Sequence, residues 1–395
     1  MRILHILESM GGGTKKHVQL LVEGLRTHGI EVVLALPHRQ PYEAHSALMD
    51  YTFPDTMRAK GVSVEQFHMI HGRISPRDDI WALGELVAFL RRSRFDVVHT
   101  HSAKAGVLGR LAARLSGVPV IVHTPYSLPF RKELQQGRRY YLYYMLEKLL
   151  GQITDVMIAT SRAELAEFTE SKIISPNRIQ LITNCFDLDN YPWSFDERAD
   201  AKRLMGWPVD QPVIGTVARL SPQKGMHTLV KAAQIICTHL PQARFIIVGE
   251  GELRNDLARQ AQSLGLSNDQ WVMVGKRDDY LKYMRAFDIF AFPSLWEGLP
   301  YAPIEAMAVG TPVIATAVSG TTDLVTHSQN GLLVSAQNGT AMAHAILLAL
   351  NYPTLARGLA IRGRQFVEEH FNSEKPVNQT LTAYREALRG RKRRG

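Results

Sequence analysis

The segment from Pro293 to Thr316, PSLWEGLPYAPIEAMAVGTPVIAT, constrains the fold of this chain more than any other. An apolar strand precedes it, and the pattern then predicts a loop, a short helix from near Pro303 and a second strand from Pro312. Proline suits the first turn of a helix, and glycine suits the position after its end. Glu297 and Glu305 therefore fall at the carboxyl end of a strand and the start of a helix, where open parallel sheets bind ligands.

These two glutamates have two interpretations. Carboxylates at this place can accept hydrogen bonds from a sugar diol, whereas two glutamates eight positions apart are by themselves ordinary solvated acids. The strand before them, the Gly298-Leu299-Pro300 turn and the Gly310-Thr311-Pro312 exit favour a binding site.

Composition places the chain among soluble globular proteins. The 395 residues predict two domains, and 45% hydrophobic with 21% charged residues is ordinary for globular domains. The two cysteines fit no metal pattern and indicate a reducing compartment. We find no signal peptide and no apolar run long enough to span a membrane. We therefore expect a cytoplasmic protein. The net charge of +9 favours an anionic partner: a nucleotide sugar, a membrane surface or nucleic acid. The basic tail RGRKRRG is either a disordered end or part of that contact.

Alternating strands and helices fill both halves, which predicts doubly wound α/β domains. The first half contains the strands RILHIL, EVVLALP, VSVEQF, DVVHTH, PVIVHTP, DVMIAT and IQLITN, with helices at 14–28, 79–93, 104–116, 137–152 and 162–170. The second half contains VIGTVAR, RFIIVGEG, WVMVG, the central segment and GLLVS, with helices at 226–240, at 254–265 and from Thr340 onward. The predicted divisions are an N-terminal domain at 1–186, a linker at 187–212, a C-terminal domain at 213–372, and a crossover helix with a basic tail at 373–395.

Two further segments favour anion binding. Gly11, Gly12 and Gly13 follow the first strand and open a helix, where backbone N–H groups can approach an anion, although a plain turn is the simpler interpretation. Arg219 ends a strand and Lys224 lies in the next loop, so two cations meet at the carboxyl end of the sheet. Arginine can bind a diphosphate through two hydrogen bonds and lysine as a point charge.

The chain resembles the family-4 (group 1) retaining glycosyltransferases, bacterial surface-polysaccharide enzymes of the GT-B fold. The resemblance rests on the glutamate-x7-glutamate pattern of Glu297 and Glu305 and covers nearly the whole chain. It extends to GGGTKKHV at 11–18, HTHSAKAGVLGRLAARLSGVPVI at 99–121 and GTVARLSPQKG at 215–225. It implies two Rossmann-like domains that face each other across a cleft, with the acceptor on the first and the nucleotide sugar on the second.

The resemblance also implies roles for individual residues. Arg219 and Lys224 would stabilise the diphosphate, Glu297 would face the donor hexose or its phosphates, and Glu305 would hold the ribose hydroxyls. The remaining donor-binding residues would be Gly12, Gly13, Gly249, Gly275, Arg277, Gly298 and Leu299.

One position departs from the family pattern. Tyr126 stands where the family carries a histidine near the donor sugar and acceptor. Because tyrosine is a poor general base at pH 7, we expect Tyr126 to position the sugar or the β-phosphate rather than take a proton. His123 should point to the opposite face of its strand.

No metal or other cofactor is expected, since two cations can neutralise the leaving group. Asp187-Leu188-Asp189 is similar to a metal-binding motif of the other major glycosyltransferase fold, but it lies in the predicted linker and is better interpreted as a turn. His99 and His101, crowded at the end of one strand, are better interpreted as buried histidines than as ligands.

The helix RRYYLYYMLEKLL suggests a membrane contact. Helical spacing places one set of apolar residues in the core, namely Leu142, Met145, Leu146, Leu149 and Leu150. Tyr140, Tyr144 and Lys148 would then face outward beside Arg138 and Arg139, which suits the inner leaflet of a membrane. The alternative is a helix half-buried against a neighbour.

The sequence therefore predicts a retaining transferase that moves a sugar from a UDP- or GDP-sugar to a hydroxyl acceptor, such as a lipid-linked surface glycan. One alternative is a nucleotide-sugar epimerase or hydrolase of the same fold. A basic RNA-binding protein is a second alternative, but the chain carries no aromatic-rich recognition motif for RNA, so we expect no nucleic-acid partner.

Overall fold

The computed structural model describes residues 1–38, 49–69, 75–128, 130, 137–193 and 197–392. The chain forms two compact units. Unit one consists of Met1–Phe186 together with Asn372–Gly395, and unit two consists of Asp187–Phe371.

Unit one is built on a seven-stranded sheet in which every described pair of neighbouring strands is parallel. Its order is β3-β2-β1-β4-β5-β6-β7. The strands are β1 (Arg2–Leu7), β2 (Glu31–Pro37), β3 (Ser63–Phe67), β4 (Val97–His101), β5 (Val120–Thr124), β6 (Val156–Ala159) and β7 (Ile179–Leu181).

Helices cover both faces of this sheet, as the apolar strands require. Because side chains alternate along a strand, Ile3 and Leu7 pack on one side with the first, second and last helices, whereas Leu4 and Ile6 pack on the other with the third and fourth. The helices are α1 (Gly12–Thr27), α2 (Phe53–Ala59), α3 (Pro76–Ser93), α4 (Ala103–Leu115), α5 (Arg138–Ile153), α6 (Arg162–Ser171) and, from the end of the chain, α14 (Glu374–Lys392).

The C-terminal helix α14 belongs to unit one and continues to Lys392, into the predicted basic tail. Gly24 of α1 packs closely against Val377 of α14: a Cβ atom on residue 24 would lie 2.5 Å from the Cγ2 atom of Val377. The buried Tyr384 hydroxyl bonds to the Nδ1 atom of His99 at 2.6 Å. Residues 393–395 of the basic tail lie outside the described residues.

Unit two is a six-stranded sheet with the order β10-β9-β8-β11-β12-β13, again parallel in every described pair. Its strands are β8 (Val213–Val217), β9 (Arg244–Val248), β10 (Trp271–Gly275), β11 (Ile289–Phe292), β12 (Val313–Thr316) and β13 (Leu332–Val334). Its helices are α7 (Glu197–Leu204), α8 (Met226–His239), α9 (Arg254–Ser263), α10 (Tyr280–Ala286), α11 (Tyr301–Ala308), α12 (Gly339–Asn351) and α13 (Pro353–His370).

These two Rossmann-like sheets confirm the predicted doubly wound α/β class. Helix α11 begins at Tyr301, two residues before the predicted start, and the short helices α2 and α10 have no counterpart in the sequence prediction. Each of these two spans only about two turns, which is too short for helical periodicity to be recognised. Among the described residues, none of the helices is long and apolar enough to cross a bilayer.

The segment at 187–212, predicted as an irregular linker, is part of unit two and contains α7. Polar contacts attach it: the Lys202 ammonium donates to the Asp288 carboxylate at 2.6 Å, and an Arg198 guanidinium nitrogen donates to the Gly310 carbonyl at 2.8 Å. Because charges rather than an apolar stripe hold α7, hydrophobic periodicity did not reveal it. Residues 194–196 of this segment lie outside the described residues.

Helix α5 is rotated relative to the prediction. Leu142, Met145 and Leu149 are exposed by 68%, 51% and 58%, so assigning them to the core was wrong, although Leu150 is buried. Tyr140 and Tyr144 were expected to face outward but pack against Phe130, with ring centroids 5.9 and 5.4 Å from it.

A buried ion pair explains this rotation. The Arg110 guanidinium of α4 donates to both carboxylate oxygens of Glu147 at 2.8 and 2.9 Å. Gly151, one turn further along α5, lies so close to the Ile173 carbonyl that a Cβ atom would meet its oxygen at 2.0 Å. Because a buried carboxylate must keep its partner, Glu147 faces inward and the leucine stripe faces solvent.

Candidate functional site

The carboxyl edge of the unit-two sheet brings Lys224 and Glu297 together. Lys224 ends the short turn at Pro222–Lys224 after β8, and Glu297 lies in the loop after β11. The Lys224 ammonium donates to Oε1 of Glu297 at 2.5 Å, and the Gln223 amide donates to Oε2 at 3.3 Å. Glu297 is only 5% exposed, so these donors replace the hydrogen bonds that water would otherwise give its carboxylate.

Close backbone packing holds these loops in place. Gly225 has φ +60°, and a Cβ atom there would meet the Pro293 carbonyl oxygen at 2.1 Å. Gly249, with φ +144°, lies equally close to Ala218: a Cβ atom would meet that carbonyl oxygen at 1.9 Å. Only glycine allows both approaches. The predicted glycine at 249 therefore has a structural role in seating the loop after β9 against β8.

The other predicted donor residues lie around the same edge of unit two. Gly298 and Leu299 are buried beside Glu297, and the Gly275 carbonyl accepts a hydrogen bond from Gly249 N–H at 2.8 Å. Arg219 is exposed and forms no ion pair with any residue that the structure describes. Arg277 is exposed and pairs with Asp279, whose carboxylate it meets at 3.0 Å.

Glu305 lies within α11 and is 3% exposed. Its Oε1 atom accepts hydrogen bonds from the Tyr191 and Tyr280 hydroxyls at 3.0 and 2.9 Å. Burial, followed by the charge of Glu305, raises the pKa of both tyrosines. Both phenols therefore stay protonated and act as donors to this carboxylate. Sequence reasoning missed Tyr191 and Tyr280, because neither lies in a recognisable motif.

In unit one, the glycine segment at the end of β1 opens α1 as predicted, but the helix begins at Gly12 rather than Thr14. Gly12 is exposed with φ +64°, Gly13 is half-buried, and the first turn of α1 holds no acidic residue. Glu8, which sequence reasoning missed, accepts a hydrogen bond from the Lys104 N–H at the start of α4 at 2.9 Å. Burial raises the pKa of Glu8.

Tyr126 takes part in a hydrogen-bonded chain inside unit one. Its hydroxyl meets Nδ1 of His101 at 2.9 Å, and Nε2 of His101 meets Nδ1 of His5 at 2.9 Å. Burial lowers the pKa of both histidines, that of His5 to about 3, so both are neutral at pH 7. The Tyr126 hydroxyl is thus bonded toward the sheet, while His123 lies against Gly106 of α4.

Three histidines of this region, His5, His99 and His101, have ring nitrogens within 4.8 Å of one another, close enough to hold an ion. Hydrogen bonds already account for much of this cluster. Both His99 nitrogens have partners, the Tyr384 and Thr124 hydroxyls at 2.6 and 2.8 Å, and His5 bonds to His101. The crowding at the end of β4 is therefore best explained as a buried polar network.

Comparison with known proteins agrees with this architecture. Residues 12–185 match the model of a glycosyl transferase 4-like domain, and residues 197–366 match that of the glycosyl transferases group 1. The chain is 30% identical over 340 residues to a UDP-Gal:alpha-D-GlcNAc-diphosphoundecaprenol alpha-1,3-galactosyltransferase of Escherichia coli, a match that covers 84% of this chain and 86% of the relative. It is 25% identical to the capsular polysaccharide biosynthesis glycosyltransferase CapM of Staphylococcus aureus, over 75% and 78% of the two chains.

The fold matches solved glycosyltransferase structures. Anabaena HepE, crystallised with UDP and glucose, superposes with a TM-score of 0.81 over 97% of this chain and 100% of that one, at 22% identity. Fold and site thus define a glycosyltransferase of the GT-B fold. More narrowly, the chain belongs to the group 1 glycosyltransferases, as the glutamate pair suggested.

The inward bond of Tyr126 generates a stability prediction. Replacing Tyr126 with Phe should lower the free energy of unfolding by about 1–3 kcal/mol, because Nδ1 of the fully buried His101 loses its partner. Urea unfolding followed by circular dichroism would measure the change. Tyr143→Phe removes a hydroxyl elsewhere in the same unit and is the matched control. Equal stability of both variants and the wild type would contradict the assignment of this bond.

Proposed function

We propose that this glycosyltransferase transfers a hexose from a UDP-sugar to a hydroxyl of a lipid-linked glycan, with retention of anomeric configuration. Unit two would hold the donor and unit one the acceptor. The observation that carries the proposal is the Lys224–Glu297 pair at the carboxyl ends of the unit-two strands. The exposed Arg219 follows β8, the strand that also precedes Lys224. The E. coli relative, named for UDP-galactose and a diphosphoundecaprenol acceptor, supports the choice of substrates.

The charges at this edge suit a diphosphate leaving group. Arg219 and Lys224 supply two positive charges and Glu297 one negative charge, a net charge of +1 before a ligand binds. Lys224 can reorient from Glu297 to a phosphate oxygen, because ammonium donors are flexible point charges. These cations would replace a divalent ion in stabilising the charge that develops on the β-phosphate.

The reaction would proceed at one face of the sugar. The bond from the anomeric carbon to the diphosphate oxygen breaks as the acceptor oxygen forms its bond on the same face. The acceptor proton passes to the leaving phosphate oxygen, so no protein base is required. The neutral, inward-bonded Tyr126 and His101 fit a reaction without such a base.

A transfer assay tests the proposal directly. The full chain would be given a panel of UDP- and GDP-sugars with and without a diphosphoundecaprenol-linked GlcNAc acceptor, and the product's anomeric configuration would be read by NMR. We expect acceptor-dependent transfer from a UDP-sugar, retention, and unchanged activity in EDTA. Donor turnover without acceptor would instead indicate an epimerase or hydrolase, and loss of activity in EDTA would contradict the cation assignment.

Variants of Lys224 and Glu297 test the proposed roles of these two charges. Lys224→Ala should lower transfer by about 30- to 1000-fold, since a charged contact to the diphosphate contributes roughly 2–4 kcal/mol to the transition state. Glu297→Gln should lower transfer yet tighten UDP binding by about tenfold, or ~1.4 kcal/mol, because a buried negative charge near the diphosphate disappears.

Isothermal titration with UDP and initial transfer rates would measure both effects. Arg259→Ala, which removes an exposed arginine from α9 of the same unit, is the control and should change neither. Weaker UDP binding in Glu297→Gln would show that this carboxylate does not oppose the diphosphate.

A lipid-linked acceptor places the reaction at a membrane, and α5 supplies a suitable surface. Its apolar stripe of Leu142, Met145 and Leu149 is exposed together with Tyr141, and Arg138 and Arg139 begin the helix. A helix with such a stripe beside basic residues can lie in the headgroup region of an anionic bilayer. The membrane-facing residues are therefore the leucines and methionine rather than Tyr140 and Tyr144.

Changing Leu142, Met145 and Leu149 together to Ser should abolish salt-sensitive pelleting with anionic vesicles. Each buried apolar side chain contributes about 1.5–3 kcal/mol and each basic residue about 1 kcal/mol. Activity on an acceptor embedded in vesicles should fall, while activity on a short-chain soluble acceptor should persist. Leu204→Ser, at a leucine of unit two that is 88% exposed, is the matched control. Undiminished pelleting of the triple variant would exclude α5 as the contact.

A further inference from the structure

Two tyrosine hydroxyls meet at the same oxygen of one carboxylate. Tyr191 and Tyr280 both donate to Oε1 of Glu305, at 3.0 and 2.9 Å, and the two phenols also interact with each other. A carboxylate only accepts hydrogen bonds, and a protonated phenol has one hydrogen to give. The three side chains therefore form one connected group in which the Glu305 carboxylate is the acceptor of each bond that it forms with a phenol.

Because Glu305 is buried, the loss of either hydrogen bond to its carboxylate is costly. Glu305 is 3% exposed and Tyr191 8% exposed, so water does not replace a lost donor. A buried carboxylate without hydrogen bonds carries a large desolvation cost, and donors to a charged group are worth more than donors to a neutral one. The two phenols thus restrict the rotamer of Glu305.

The two tyrosines come from separate segments of unit two. The Tyr191 carbonyl accepts a hydrogen bond from the Arg364 guanidinium of α13 at 2.7 Å. Tyr280 is the first residue of α10 and follows the loop that contains Gly275 and Arg277, two of the predicted donor-binding residues. Glu305 thereby contacts two segments that are distant from α11 in sequence.

We propose that Tyr191 and Tyr280 are positioning residues, which orient the Glu305 carboxylate so that it can accept hydrogen bonds from the ribose hydroxyls of the nucleotide. This rests on the proposed function, in which Glu305 holds the ribose. The tyrosines act through Glu305 rather than on the substrate, so their effect must depend on the presence of ribose hydroxyls.

The test therefore compares a nucleotide that has the ribose hydroxyls with one that lacks them. The affinities of UDP and of 2′,3′-dideoxy-UDP would be measured by calorimetry on the full chain for the wild type, Tyr191→Phe, Tyr280→Phe and Glu305→Gln. We expect each Phe variant to bind UDP about five- to tenfold more weakly and to bind the dideoxy nucleotide as the wild type does.

Kinetics supply a second readout that a merely structural role would not change. Each Phe variant should raise KM for the donor sugar severalfold while kcat and the KM for the acceptor stay near wild type. Tyr283→Phe is the matched control, because Tyr283 is a buried tyrosine of the same helix α10 whose ring lies beside Arg277 rather than Glu305. It should leave both nucleotide affinities unchanged.

The outcomes separate this inference from the function on which it rests. If Glu305→Gln weakens UDP but not the dideoxy nucleotide, while both Phe variants bind UDP normally, Glu305 holds the ribose and the positioning role is wrong. If the Phe variants weaken both nucleotides equally, they act on the fold of the site and the inference is also overturned. If Glu305→Gln itself fails to distinguish the two nucleotides, the ribose assignment under the proposed function fails instead.

Discussion

A parallel sheet that is covered by helices on both faces can bind ligands only at the ends of its strands, and this constraint applies to both units. Every strand of the unit-two sheet runs the same way, so the loops after β8, β9 and β11 all leave from one edge. Glycines allow these loops to touch: Gly225 lies against Pro293 and Gly249 against Ala218. Lys224 and Glu297, far apart in sequence, therefore meet at 2.5 Å.

Burial then determines what each charged group at that edge can do. Glu297 is bonded to Lys224 and Gln223, and Glu305 is bonded to two phenols. Under the proposed function, an incoming diphosphate would add negative charge beside Glu297, and Lys224 would be shared between the protein and the ligand. The exposed Arg219 has no such competitor among the described residues. The proposed site would thus combine Lys224, which is paired with a carboxylate, with the exposed Arg219, an arrangement that would permit tight transition-state binding without excessive retention of the product.

The same reasoning from buried charge explains the surface of unit one. Glu147 must remain with Arg110, and Gly151 must remain against the Ile173 carbonyl, so α5 has one permitted rotation. That rotation leaves Leu142, Met145 and Leu149 in solvent, an arrangement that is costly unless another surface covers them. A single ion pair in the interior thereby accounts for an apolar stripe where the proposed acceptor lipid would lie.

The sequence by itself determined the class of fold, the order of the long strands and helices, and the family, because apolar runs and the Glu297–Glu305 segment are local signals. It also placed Lys224 and Glu297 in loops at the correct strand ends. Only the tertiary structure decided how Glu305 is held, since Tyr191 and Tyr280 lie in separate segments that meet through folding. The orientation of α5 was likewise inaccessible: its leucine spacing indicated a core face, but a partner on another helix, Arg110, decided which side is buried. Hydrophobic periodicity indicates which face a helix would bury if it were considered alone. A buried charge instead requires its partner to lie beside it, however far apart the two residues are in sequence.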